Sequence, residues 1–137
     1  MAINTEYLER CIETVEKSYQ MINHADEDSI EYEMYRNSLV KGFEMTIEQS
    51  GKMLKKKITP YFSSKKSVDM LTFKDIFRYA NKYNLLSDSE VERWFEYRDN
   101  RNNTAHDYGQ MFAEDTLRLV DRFLEDAKHL KEIIDNG

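Results

Sequence analysis

Residues 28–54 read DSIEYEMYRNSLVKGFEMTIEQSGKML, and the fold class turns on this stretch. Tyr32, Tyr35, Leu39, Phe43, Ile47 and Leu54 follow one another at steps of three, four and seven, which lines one face of a helix and no face of a strand. The pattern holds for about seven helical turns. Asp28 followed by Glu31 has the spacing of a capping box at its start, and Gly42 and Gly51 weaken it only slightly.

The same period continues on both sides. Upstream, residues 4–24 place Leu8, Ile12, Val15, Tyr19 and Ile22 on one face, with Asn4 or Thr5 available as the cap and an acidic link at Asp26, Glu27 and Asp28. Downstream, Pro60 between Thr59 and Tyr61 interrupts the helical pattern, so residues 57–71 are expected to form a loop with exposed lysines. Thr72 with Asp75 then caps a short helix to about residue 81, with Leu71 and Ile76 as a hydrophobic staple, and Asn84 ends the following turn. Ser87 and Glu90 form another box, ahead of Val91, Trp94, Phe95 and Arg98 on one face. Gly109 precedes a last helix, residues 113–135, striped by Leu117, Val120, Leu124, Ala127, Leu130 and Ile134. Five helices with short connections predict an all-α protein: an antiparallel, up-down bundle of four to five helices in a single domain, 1–137.

Composition agrees, with four glycines and one proline in 137 residues. Cys11 is the sole cysteine, which excludes a disulfide framework and a Cys-rich zinc site. His24 and His129 stand apart, with no second ligand at metal spacing, so neither metal nor cofactor is expected. The N-terminus has no signal-peptide pattern and no run approaches the ~20 apolar residues of a membrane span, so a cytoplasmic protein without membrane contact is expected.

Net charge is −6, yet six lysines (Lys52, Lys55, Lys56, Lys57, Lys65, Lys66) occur between residues 52 and 66 without one acid. Binding of nucleic acid depends on phosphate neutralisation, and an acidic body disfavours indiscriminate binding. The strip is either a solvated loop or a local attraction for RNA. Tyr61 and Phe62 within it either stack on bases or pin the loop to the bundle.

Arg101-Asn102-Asn103-Thr104-Ala105-His106-Asp107-Tyr108 is the other unusual run. Arginine holds phosphate through a two-pronged, charge-assisted contact, and histidine exchanges protons near neutral pH. On an unbroken helix the two would point about 140° apart, so convergence calls for a break around Asn102, Asn103 and Thr104, residues that favour caps and turns. The plainer alternative pairs Arg101 with Asp99 or Asp107, leaves His106 bonded to a carbonyl and packs Tyr108 against the last helix.

Arg101, the polar Asn102, His106 and Tyr108 resemble the Arg-x4-His-x-Tyr signature of HEPN domains, and more narrowly the HepT-like branch known as nucleotidyltransferase substrate-binding proteins. Gly42-Phe43-Glu44-Met45 and Met53-Leu54-Lys55 in the second helix, Trp94 upstream and the final amphipathic helix extend the likeness over most of the chain. The resemblance implies a homodimer with two motifs at a shared cleft, acting as a metal-independent ribonuclease toxin on RNA, tRNA included, restrained by a minimal nucleotidyltransferase antitoxin. Carried onto this chain, it implies His106 as general acid or base, Arg101 as the stabiliser of phosphoryl charge, Asn102 as a positioning group and Tyr108 as an acceptor of AMP. It equally allows a non-catalytic subunit that holds nucleotide or substrate for a nucleotidyltransferase. The chain itself shows no Gly-Ser element followed by paired aspartates, so nucleotide transfer would need a second protein.

Overall fold

The structure, a computed structural model, describes residues 2–104 and 110–136, without the side chains of 102–104 and 110–113. Among these residues there are six α-helices and no strand: α1 (Glu6–Ile22), α2 (Ile30–Ile58), α3 (Lys65–Asp69), α4 (Phe73–Lys82), α5 (Asp88–Thr104) and α6 (Gln110–Asp135). The all-α bundle predicted from periodicity is therefore the fold. No helix among the described residues is long and apolar enough to cross a membrane.

The capping boxes behave as their spacing predicts in two of three places. Thr72 Oγ1 accepts from Asp75 N at 3.2 Å while Asp75 Oδ2 accepts from Thr72 N at 3.1 Å, and Ser87 with Glu90 repeats the exchange. At α2 the cap is Ser29 and not Asp28: its Oγ accepts from Tyr32 N at 3.1 Å and donates to Asp26 O at 2.6 Å. At α1 it is Asn4 Oδ1 that takes the Glu6 N–H, at 3.0 Å, because the Thr5 hydroxyl is turned to Asp135 of α6. Asn84 ends the turn after α4 with φ 63°, the left-handed geometry of a C-terminal cap, and Leu85 N then reaches Ala80 O at 2.9 Å.

The expected loop over residues 57–71 needs correction. α2 runs on to Ile58, a 3₁₀ turn follows at Thr59–Tyr61, and α3 begins at Lys65. Pro60 lies at the start of that turn, where its missing N–H costs nothing and its fixed φ suits the geometry. Tyr61 stacks on Tyr83 with centroids 4.1 Å apart and Phe62 meets Tyr79 edge-on at 4.9 Å, so both rings pin the connection to α4.

Contacts between distant residues fix the direction of the helices. Thr5–Asp135, Glu16–Lys128 and Tyr19–Asp121 pair α1 with α6 head to tail; Glu90–His129, Arg93–Asp126 and Asn100–Thr116 do the same for α5 and α6. α2 is central and packs against α1, α4, α5 and α6. The core gathers Phe43, Phe77, Trp94, Tyr97 and Phe123, all fully buried, in edge-on and tilted contacts.

Gly42 lies where α1 crosses α2. A Cβ there would stand 3.0 Å from Val15 Cγ2 and 3.3 Å from Thr14 Cγ2, and Val15 is fully buried. Alanine would gain about 1 kcal/mol of helix propensity, but overpacking a tight contact costs about 1–3 kcal/mol. Gly42→Ala is expected to lower the urea-unfolding free energy by about 1 kcal/mol on these two terms; an increase would show that the crossing has slack.

Candidate functional site

The motif begins in the last turn of α5 and runs beyond the described residues, and contacts between α5 and α6 brace the helices before it. Asp126, 5% exposed, sits on the apolar face of α6 between Phe123 and Leu130. Arg93 grips it with two hydrogen bonds, Nε to Oδ2 and Nη2 to Oδ1, both 2.8 Å, and the Tyr97 hydroxyl donates to Oδ2 at 2.5 Å. Nearer the link, Asn100 Nδ2 donates to the buried Thr116 hydroxyl at 3.1 Å. A carboxylate met by a guanidinium fork and a phenol has its lone pairs well occupied, which makes its burial tolerable.

Hydrogen bonding to Asp126 holds the Arg93 guanidinium above its ordinary pKa. Burial first, and then the bond to Asp126, pushes the Tyr97 phenol up as well. A raised native pKa means that stability from Tyr97 is complete below about pH 10, where an unfolded tyrosine begins to ionise, and is lost as pH rises beyond it. Wild-type unfolding free energy is expected to fall between pH 9.5 and 11 with a steeper slope than that of Tyr97→Phe, by up to about 1.4 kcal/mol per pH unit. Equal slopes would mean that the phenol ionises freely in the folded chain.

At the C-terminal end of α5, Arg101 is half-buried, and its Nη2 donates to Glu48 Oε1 of α2 at 2.7 Å. Of the two neighbours expected, Asp99 instead meets Lys74 at 3.4 Å, and Asp107 lies outside the described residues. Arg98, one turn back on α5, lies over the Phe73 ring at 4.8 Å from its centroid. Burial and then the adjacent Arg101 cation hold Arg98 below its ordinary pKa. Two guanidinium groups and one carboxylate are thus gathered between α2 and α5, beside the motif. A pair of arginines is well suited to a phosphodiester.

α5 remains helical through Thr104, so the break expected at Asn102, Asn103 and Thr104 is absent; intact i→i−4 bonding overrides the turn preference of those residues. His106 and Tyr108 lie outside the described residues, as does the side chain of Asn102.

The six lysines do not act as one strip. Lys52, Lys55, Lys56 and Lys65 converge on a cleft of about 470 Å³ between the end of α2 and α3. Lys55 is paired with Asp69 at 3.0 Å, and Lys66 is exposed on α3. Lys57 turns the other way, with Nζ donating to Ile134 O of α6 at 3.4 Å. Glu48, Arg98 beside Arg101, and Asp126 are the residues of interest that sequence reading did not single out for a site.

Comparison with known proteins places these features. Residues 4–136 match the family model for proteins described as nucleotidyltransferase substrate binding protein like. A Haemophilus influenzae protein named probable ribonuclease HepT is 28% identical over 134 residues, spanning 95% of this chain and 90% of that protein. A solved Haemophilus influenzae structure, described as revealing the fold of a substrate binding domain of a nucleotidyltransferase, superposes with TM-score 0.80 at 26% identity, over 96% of this chain and 98% of the other. A tri-AMPylated Shewanella oneidensis HEPN toxin in complex with MNT antitoxin superposes with TM-score 0.67 at 15% identity, over 98% and 100% of the two chains. At that identity the likeness is one of fold, and the fold is HEPN-like.

Proposed function

Because this chain belongs to the nucleotidyltransferase substrate binding protein like family, we propose that it is the HEPN-type toxin of a two-component module, an endoribonuclease that needs no metal. The observation that carries the reading is the half-buried Arg101 near the C-terminal end of α5, with Arg98 one turn back on the same helix and His106 five residues on in the sequence. The likeness to a protein named probable ribonuclease HepT supports it.

In this reading two copies pair so that their motifs face one cleft. His106 takes the proton of an RNA 2′-hydroxyl, whose oxygen attacks the adjacent phosphorus. Arg101 stabilises the charge that grows on the phosphoryl oxygens, and Asn102 positions the backbone. The P–O5′ bond breaks, the 5′-oxygen takes a proton, and the products are a 2′,3′-cyclic phosphate and a 5′-hydroxyl. The Asp126 and Asn100 contacts keep α5 and α6 in register under this chemistry.

The partner in the proposal is a minimal nucleotidyltransferase that transfers AMP to Tyr108. The phenol oxygen attacks the α-phosphorus of ATP and pyrophosphate leaves; the added nucleotide brings bulk and negative charge beside the arginines. The AMPylated Shewanella toxin, which shares the fold, supports this part. The family description favours a second reading, in which the same cleft only holds substrate for a nucleotidyltransferase subunit.

Incubating the purified chain with total RNA or tRNA in chelator, followed by end-group analysis, separates the two. Fragments ending in 2′,3′-cyclic phosphate are expected. Intact RNA, together with partner binding that Arg101→Ala abolishes, would replace the toxin with the binding subunit.

A further inference from the structure

We propose that the lysine cleft between the end of α2 and α3 is a second RNA subsite, which holds the substrate strand one or two nucleotides away from the bond broken at Arg101. The proposal rests on the ribonuclease reading for the position of the scissile phosphate, but the cleft has its own evidence. Lys52 and Lys65 are thirteen residues apart in sequence, and the Thr59–Tyr61 turn folds α3 back so that both border one depression with Lys55 and Lys56. Asp69 is the one carboxylate among the residues that line it, and it is already engaged by Lys55. The aliphatic stems of the lysines add apolar surface for a base edge, while the ammonium groups at the rim suit the flanking phosphates.

Its place relative to Arg101 follows from helix geometry. Glu48, Lys52 and Lys55 succeed one another at steps of four and three along one face of α2, and Glu48 is a residue that touches Arg101. At about 5.4 Å per turn, Lys52 stands one turn and Lys55 two turns from the arginine contact. A single strand whose phosphate rests on Arg101 therefore meets lysines as it runs along α2 toward α3. The charge pattern suits such a strand: residues 52–66 carry six lysines and no acid, whereas the other 14 basic residues of this chain, whose net charge is −6, are outnumbered by its 26 acids. An RNA that lies along it meets a local attraction that the net-acidic remainder of the chain does not supply. This makes the cleft a source of selectivity in an otherwise acidic molecule.

The test compares wild type with a variant carrying Lys52→Gln, Lys56→Gln, Lys65→Gln and Lys66→Gln, with Lys57→Gln as the control because Lys57 faces α6. Steady-state cleavage of a single-stranded RNA and anisotropy of a labelled copy are measured across a salt series. The fourfold variant is expected to raise KM at least tenfold with kcat within about twofold. It should also flatten the slope of log Kd against log salt by about 2–3, since each phosphate that a lysine neutralises on a single strand adds ~0.7 to that slope. Lys57→Gln should match wild type. Unchanged KM and salt slope in a wild type that cleaves RNA would overturn the subsite, as would unchanged RNA affinity with lost binding of the nucleotidyltransferase partner. If wild type binds RNA through these lysines but cuts nothing, the subsite stands and the ribonuclease reading falls.

Discussion

Arg101→Ala is expected to slow RNA cleavage by about 10²–10³-fold in kcat, the usual loss when one donor to a developing oxyanion is removed. Its melting temperature should stay close to that of wild type, because Glu48, which the guanidinium meets, has a carboxylate half exposed at 49% that can turn to water. Arg101→Lys should recover only part of the rate, since an ammonium carries charge but not the two-pronged geometry of a guanidinium. Single-turnover rates at saturating RNA, with thermal melts of the same samples, give the check. A fall in rate matched by a fall in melting temperature would make Arg101 a structural residue.

The second large effect is on stability. Asp126→Ala leaves the Arg93 guanidinium and the Tyr97 hydroxyl without the acceptor they share. Removing one member of a buried ion pair costs roughly 3–5 kcal/mol. Arg93 keeps 26% of its side-chain surface in water, which puts the expected loss near the lower end. About 3 kcal/mol corresponds to a drop of roughly 10 °C in melting temperature for a domain of this size. Asp126→Asn, which keeps an acceptor oxygen, should lose about half as much. A melting temperature within 2 °C of wild type in Asp126→Ala would mean that the α5–α6 brace contributes little. Because the motif lies at the end of that brace, reduced cleavage by Asp126→Asn while still folded would mark Asp126 as a positioning residue.

Local signals are the legible part of this fold. The stripe from Tyr32 to Leu54 and the boxes at Thr72 and Ser87 concern residues three or four apart, and helix geometry brings such residues together whatever the tertiary structure does. The cap of α2 shows the limit: Asp26, Asp28 and Ser29 all carry suitable oxygens, and the turn formed by Ser29 and Asp26 decides among them. Pro60 reads as a stop in the sequence, although proline near the start of a turn, second after Thr59 here, lets a chain change helix type with little interruption.

The candidate site is legible as residue types and not as a constellation. Arg101 stands out by its spacing from His106, whereas Glu48, the carboxylate it meets among the described residues, is 53 residues upstream on another helix. Asp126 leaves one usable signal, an acid on the buried stripe of α6 between Phe123 and Leu130, and such an acid needs a cation within reach. Arg93 and Tyr97, four residues apart on the preceding helix, supply it and its second donor. The lysine run is visible as composition, but the division that sends Lys57 toward α6 and gathers Lys52 with Lys65 depends on the turn at Pro60.

Proton transfer by His106 is the step on which the ribonuclease mechanism depends, and one comparison addresses it: the rate of tRNA cleavage by wild type and His106→Ala in excess chelator at pH 7. Cleavage by wild type to 2′,3′-cyclic phosphate ends, slowed by about 10²–10⁴-fold in His106→Ala, is the predicted result. Intact RNA with wild type, or equal rates for the two proteins, would contradict it.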